Sequence, residues 1–184
     1  MNIYIETQRL ILRDWEESDF PIFTKINSDP KVMEFFPKVL NEEESLAFVF
    51  RIQQEFQESG FGLYAVERKE DHCFIGYTGL HHFSFNTDFA PGIEIGWRLA
   101  YAYWGNGYAP EAAKACLQYA RTKLGIKDIY SFTATRNLRS ERVMQKIGMQ
   151  YIKDFGHPSL PPNHPLYLHK LYHIGMNDYH SKSV

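Results

Sequence analysis

Tyr103-Trp104-Gly105-Asn106-Gly107-Tyr108-Ala109-Pro110-Glu111 is the stretch on which the reading of the fold turns. Two glycines one residue apart, a small residue at 109, and a proline and glutamate heading an alanine-rich run describe a tight turn that delivers a helix N-terminus. The first N–H groups of a helix have no carbonyl four residues back, and the macrodipole places roughly half a positive charge there. Glycine lets an anion approach those donors, and Pro110 suits a first turn, where its missing N–H is no loss. Ala112, Ala113, Cys116, Leu117, Ala120 and Leu124 recur at three- and four-residue spacing, so one side of the helix packs inward until Gly125 stops it. A dinucleotide fingerprint would need a third glycine where Pro110 stands, and an ATP-binding loop would need Gly-Lys-Ser/Thr, which the chain lacks. A plain glycine turn ahead of a surface helix also accounts for these residues.

Outward from that turn, alternation and turn residues predict a first strand at Thr7 to Trp15, with Leu10, Leu12 and Asp14 on one side and Ile11, Arg13 and Trp15 on the other. Ser18 is the expected cap of a helix over Asp19 to Ile26, with Pro21 in its first turn. Asn41 with Glu44 three residues on reads as a capping box, Leu46, Val49, Phe50 and Phe56 as the apolar face of the helix that follows, and Ser59-Gly60 as its end. Three strands joined by short connections, Leu63 to Glu67, Phe74 to His81 and Ile93 to Leu99, are expected to be antiparallel neighbours. Beyond the glycine turn and its helix come a strand at Asp128 to Thr133, a helix from Leu138 to Ile147 stopped by Gly148, and strands at Met149 to Asp154 and Leu166 to Ile174. Gly156 to Pro165, with four prolines, reads as an irregular loop, and the residues from about Gly175 onward as a frayed tail. The order of elements makes this an α+β fold, one layer of sheet covered by helices.

The 184 residues suit one domain spanning 1–184, and 44% hydrophobic with 23% charged residues is ordinary globular composition. A net charge of -2 supplies no basic field for nucleic acid. Neither a leader segment nor a membrane span is evident, and Cys73 and Cys116 read as free thiols, so a cytoplasmic protein is expected.

Trp104 to Ala109 resembles the pyrophosphate-binding turn of the Gcn5-related N-acetyltransferases (GNAT), which grip coenzyme A. Asn137-Leu138-Arg139-Ser140 through Lys146-Ile147-Gly148-Met149 resembles that family's Asn-x-x-Ser helix followed by Lys-x-Gly and an apolar residue. Glu6 to Arg13 is similar to the first strand of the ribosomal-protein N-terminal acetyltransferase (RimJ/RimL-type) branch. The resemblance covers nearly the whole chain. It implies a GNAT-like mixed, mostly antiparallel central sheet flanked by helices on both faces, with the first two helices walling the acceptor pocket. It implies acetyl-CoA as cosubstrate, no metal, and as partner an amine acceptor, either a peptide N-terminus or a small molecule; monomer and homodimer both stay open. The expected cofactor-binding residues are Trp97, Arg98 and Leu99 through their backbone, Gly105, Asn106, Gly107, Tyr108 and Ala109 at the pyrophosphate, and Asn137 and Ser140.

Acetyl transfer from a thioester to an amine needs a neutral nucleophile, a carbonyl held at attack distance, donors for the oxyanion, and a proton for the departing thiolate. Glu94 is a lone carboxylate in an otherwise apolar strand. It is either the base, acting through water with a pKa raised by its surroundings, or a glutamate on the solvent side of its strand. Gly96 marks a bulge or splay opening the sheet there. Many relatives carry a tyrosine acid where this chain has Met144; in the ribosomal-protein branch a serine matching Ser140 takes that role, and a serine that only hydrogen-bonds coenzyme or backbone is the alternative. Trp104 stands where many relatives place Gln or Arg, leaving phosphate contact to the backbone. His81 or His82 either contacts the acceptor, serves as an alternative base, or is a partly buried group with a local partner. His157, His164, His169 and His173 lack metal-ligand spacing, and no serine-hydrolase elbow occurs. Two classes therefore stand: a ternary-complex N-acetyltransferase, and a catalytically silent acyl-CoA-binding regulatory module.

Overall fold

A computed structural model describes residues 1–176. Its sheet takes eight strands in the order β1-β2-β3-β4-β5-β6-β8-β7: β1 Ile3–Glu6, β2 Leu10–Arg13, β3 Leu63–Arg68, β4 Cys73–Phe83, β5 Gly92–Leu99, β6 Asp128–Ala134, β7 Gln150–Gly156 and β8 Leu168–Gly175. Every neighbouring pair is antiparallel except β5 and β6, which are parallel. Helices α1 (Phe20–Ser28) and α2 (Glu42–Ser59) cover one face; α3 (Tyr108–Tyr119) and α4 (Leu138–Lys146) cover the other.

The two faces follow from the period-two alternation of the strands. On β3, Tyr64 and Val66 enter the core built with Ala112, Ala113, Cys116 and Leu117 of α3, while Leu63 and Ala65 meet Phe23, Ile26, Val49 and Ile52 of α1 and α2. The four named α3 residues are fully buried, so the spacing read from sequence is the packing face of that helix. A π turn over Ala120–Leu124 ends it at Gly125 (φ 66°), a left-handed conformation that glycine adopts without strain.

The predicted first strand, Thr7 to Trp15, shortens to β2 (Leu10–Arg13), and a strand not expected from the sequence, β1 (Ile3–Glu6), precedes it. Thr7 accepts from Leu10 N–H through Oγ1 (2.9 Å) and folds Glu6 back toward Leu10, so β1 pairs with β2 across a tight turn. Ser18 does not cap α1. A 3-10 turn over Glu17–Asp19 precedes the helix, and a reciprocal capping box between Glu16 and Asp19 closes that turn. Asp19 also takes both terminal nitrogens of Arg13 (2.8 and 3.0 Å), whose Nε reaches Glu67 at 2.7 Å, making a buried network under α1.

The Asn41–Glu44 capping box forms as expected, and Gly60 ends α2 at φ 74°. The buried stripe of α2 is Ser45, Val49 and Ile52, with Phe56 half-buried; Phe50 lies on the outer face at 61% exposure, contrary to its expected place in the core. The chain stays ordered past the expected start of the tail, because Gly175 pairs with Asp128 and the buried Met176 donates to Lys127 O (2.7 Å); the rest of that stretch lies outside the described residues. Cys73 and Cys116 are free, and among the described residues no helix is long and apolar enough to cross a membrane.

Candidate active site

β5 and β6 meet at a single register pair, Glu94↔Tyr130, with Ser131 Oγ donating to Ile95 O (3.0 Å) just beyond. From there β6 pairs only with β8, so the strands splay and the β6-side edge of Gly96 to Leu99 is left without a ladder partner. This confirms the opening expected at Gly96. The β4–β5 register is continuous past Gly79↔Gly96, so a splay opens the sheet and no bulge does. A cavity of about 830 Å³ occupies the gap and runs from β4 and β5 under the α1–α2 connection to the start of α3 and the inner side of α4.

At one end of the cavity lies the glycine turn. Gly105 and Gly107 both have φ 80°, and a Cβ at Gly105 would meet nothing within 4 Å. Among the described residues no hydrogen bond leaves the amides of Gly105, Asn106, Gly107, Tyr108 or Ala109, while Glu111 N–H already donates to Gly107 O (3.2 Å). A row of unpaired donors, open at Gly105 and with the Arg9 guanidinium 3.5 Å from where a Cβ of Gly107 would stand, fits a diphosphate. The Asn106 side chain is turned back onto Tyr103 O and Trp104 O (both 3.2 Å), and the Tyr108 ring is buried beneath the Arg9 guanidinium (4.6 Å), so both side chains are engaged within the turn and its support. The turn is anchored from below: Glu111 accepts from Thr7 Oγ1 (2.6 Å), Arg9 N–H (3.0 Å) and Arg9 Nε (2.7 Å), and Arg9 also donates to Asn106 O (2.9 Å). Burial opposes the Glu111 charge, but these donors outweigh it and hold its pKa below the usual range. Trp104 donates its indole N–H to Leu99 O (2.8 Å), tying the turn to the end of β5.

Glu94 lies at the other side of the splay. Its carboxylate, 13% exposed, is 3.0 Å from Nε2 of His81, directly across on β4. The apolar setting expected from the sequence is thus replaced by a paired one. Burial disfavours charge on His81, but Glu94 beside it and Glu55 beyond outweigh this and lift its pKa to about 9. His81 is therefore an imidazolium at neutral pH, partner to Glu94 and unavailable as a free base. His82 is held by Glu55 instead, through its backbone N–H (2.6 Å) and Nδ1 (3.2 Å).

On α4, Asn137 is the N-cap: Oδ1 accepts from Ser140 N–H (3.2 Å) and Nδ2 donates to Thr133 Oγ1 (2.9 Å). Ser140 lines the cavity with Arg139, Arg142, Val143 and Lys146, one helical face of i, i+3, i+4 and i+7 spacing whose basic character was present in the sequence. Met144 is fully buried in the core, off the cavity wall, so this position presents no side chain to a leaving group. Arg139 bridges the mouth, paired with Glu34 of the α1–α2 connection and lying over Phe35 (5.6 Å) and Trp104 (4.8 Å).

The proline-rich loop supplies the far wall. His157, Ser159, Leu160, Leu166 and His169 face the cavity. His157 and His169 stack against each other (4.9 Å) and against Phe132 and Phe155; burial pushes both pKa values down, that of His169 to about 4, which makes them neutral packing groups. No group of metal-ligating side chains is found among the described residues.

Residues 9–150 match the acetyltransferase (GNAT) domain. The uncharacterized N-acetyltransferase YnaD of Bacillus subtilis (strain 168) is 33% identical over 150 residues, 80% of this chain and 83% of that protein. The structure of an acetyltransferase (GNAT family) from Bacillus anthracis superposes with a TM-score of 0.78 at 26% identity, covering 96% of this chain and 100% of that one. The ribosomal L7/L12 alpha-N-protein acetyltransferase RimL, solved in complex with coenzyme A, shares the fold with a TM-score of 0.76 at 16% identity, over 95% of this chain and 98% of its own.

Proposed function

The chain belongs to the acetyltransferase (GNAT) family and is an acetyl-CoA-dependent acyltransferase, and from that premise we propose that it acetylates a primary amine by direct attack in a ternary complex, residues 1–184 acting as one catalytic domain. One observation carries the reading: Gly105, Gly107, Tyr108 and Ala109 with their unpaired amides, the free edge of β5 and Glu94 all border a single cavity.

The amides of Gly105, Asn106, Gly107, Tyr108 and Ala109 hold the diphosphate, and Asn137 and Ser140 flank it from α4. Backbone groups of Trp97, Arg98 and Leu99 steer the pantetheine arm into the splay, and an N–H on this edge is the donor for the oxyanion. Acetyl-CoA, once bound, supplies the electrophilic thioester carbonyl, and CoA leaves as its thiol. Glu94 takes the amine proton, directly or through a water, while His81 fixes the carboxylate's orientation. Ser140 returns a proton to the departing sulfur. No cysteine serves as an acyl acceptor: Cys116 is buried, with burial pushing its thiol pKa up, and Cys73 lies away from the cavity wall.

Thiol release from acetyl-CoA, screened in parallel with N-terminal peptides and small amines, tests this. Turnover with some member of the panel is expected, strongly reduced in Glu94→Gln with acetyl-CoA affinity nearly unchanged. Acetyl-CoA binding with no turnover on any amine would instead favour the silent regulatory module.

A further inference from the structure

We propose that the buried guanidinium of Arg98 is an anion subsite of the acceptor pocket, so that the amine acetylated here carries a carboxylate as well as its amino group. The inference deepens the function proposed above and rests on it for the amine alone.

Arg98 is 6% exposed yet forms part of the cavity wall. Its polar partner is a neutral one: NH1 donates to Asn27 Oδ1 (2.6 Å), and Asn27 is itself fixed by donating to Ser45 Oγ (3.1 Å). Nε is buried without an acceptor, and among the described residues no carboxylate pairs with the guanidinium. The rings of Phe36 (4.1 Å), Phe48 (5.4 Å) and Tyr77 (5.5 Å) hold its plane. They favour the cation but offer no lone pairs to its N–H groups. A charge withdrawn from water to this extent is normally paired, and other buried charge in the molecule obeys that rule, since Arg13 has both Asp19 and Glu67. Arg98 is an exception that faces a cavity.

Its place in the sheet says what fills the gap. Glu94, Gly96 and Arg98 share one face of β5, the face turned toward α1 and α2. Gly96 between them leaves a bare floor, since a Cβ there would meet nothing within 4 Å. The four-residue step from Glu94 to Arg98 separates the two charged positions by roughly 13 Å at Cα, a span that suits an acceptor with its amine and its carboxylate well apart. An acceptor whose amine rests at Glu94 thus has its anionic group directed along the strand to Arg98. Arg51 on α2, exposed and lying over Phe48 (5.4 Å), adds a second cation at that end, while Glu55 is already engaged by His82. Phe35, Phe36 and Phe48 supply an apolar flank. A polyamine would set its second ammonium against Arg98 and is disfavoured by this arrangement.

The test uses acetyl-CoA turnover with α- and ω-amino acids, each paired with its own amide, and with N-terminal peptides paired as Glu or Gln at the second residue. The expected result is a kcat/KM roughly 10- to 100-fold higher for the carboxylate member of the preferred pair. The amino-acid arm and the peptide arm decide whether that carboxylate belongs to a small molecule or to a peptide. Arg98→Met should abolish the preference, bringing the two members of each pair to the same kcat/KM, and Arg98→Lys should restore part of it. If Arg98→Met does not fold, Arg51→Gln should lower the preference in the same direction. Equal rates within every pair, or a preference that survives Arg98→Met, would overturn the proposal. A second readout needs no turnover: N-acetylated amino acids should raise the melting temperature of the wild type where their amides do not. Were no amine to release thiol, the acetylation reading would fail, and this melting comparison would still decide the subsite: a rise with the acids alone upholds it, and no difference ends it.

Discussion

Glu94→Gln removes the carboxylate in contact with His81 and nothing else of comparable size, which makes the pair measurable in isolation. In the wild type, burial works against the imidazolium and Glu94 is the chief reason that its pKa nevertheless stands at about 9. With the carboxylate gone, burial is opposed chiefly by the more distant Glu55, so the His81 pKa should drop to its ordinary 6.5 or below, a fall of ~2.5 or more. At ~1.4 kcal/mol per pKa unit, and after allowance for solvent at a ring 31% exposed, the pair contributes about 2 kcal/mol. The sign follows from the raised pKa. This contribution is fully present below pH 6.5 and disappears as pH rises through about 9. Urea denaturation at pH 6 and pH 9.5 should therefore show the wild type losing about 2 kcal/mol more than Glu94→Gln across that interval. The His81 ring resonance, identified by its absence in His81→Gln, should titrate near 9 in the wild type and near or below 6.5 in the variant. A midpoint that stays near 9 after Glu94→Gln, or equal pH dependence of the two proteins, would refute the pairing and with it the assignment of His81.

Three further outcomes are expected. Ser140→Ala should lower kcat with little change in acetyl-CoA KM, whereas a change in KM alone, seen in steady-state thiol release, would make the serine a binding residue. Glu111→Gln should cost about 1–2 kcal/mol at pH 7 through the donors of Thr7 and Arg9; because the Glu111 pKa is depressed, the difference from wild type should shrink as pH falls below ~4, read by denaturation between pH 7 and pH 3. Asp19→Asn should destabilise by roughly 3 kcal/mol by leaving Arg13 short of its bidentate partner in a buried network, measured by thermal or urea unfolding.

The parts of this fold that were legible in the sequence are those fixed by local chemistry. The glycine turn, the Asn41–Glu44 box and the α3 stripe each depend on residues within a few positions of one another, and each formed as read. β1 was missed because four residues become a strand only through pairing, Ile5 with Leu12 and Glu6 with Ile11. Phe50 was misplaced because apolar residues at 46, 49, 50 and 52 permit two adjacent stripes, and packing against Phe23 and Tyr77 selects the one containing Ile52. In the site, Glu94 could be singled out as a carboxylate among apolar neighbours, but its partner could not, since register alone sets His81 opposite it. The side chain of Arg98 was likewise hidden: its lack of a counter-charge appears only once α1, α2 and the aromatic rings are around it.

Calorimetric titration of the purified protein with CoA, 3′-dephospho-CoA and pantetheine, each with and without adenosine present, tests the central claim most directly, because the first two carry the diphosphate and the third lacks it together with the nucleoside that the added adenosine supplies. If the free amides of Gly105 to Ala109 carry the binding, CoA and 3′-dephospho-CoA should bind with similar affinity and pantetheine on the order of 100-fold more weakly. Pantetheine binding as tightly as CoA, or no heat with any of the three, would contradict the account.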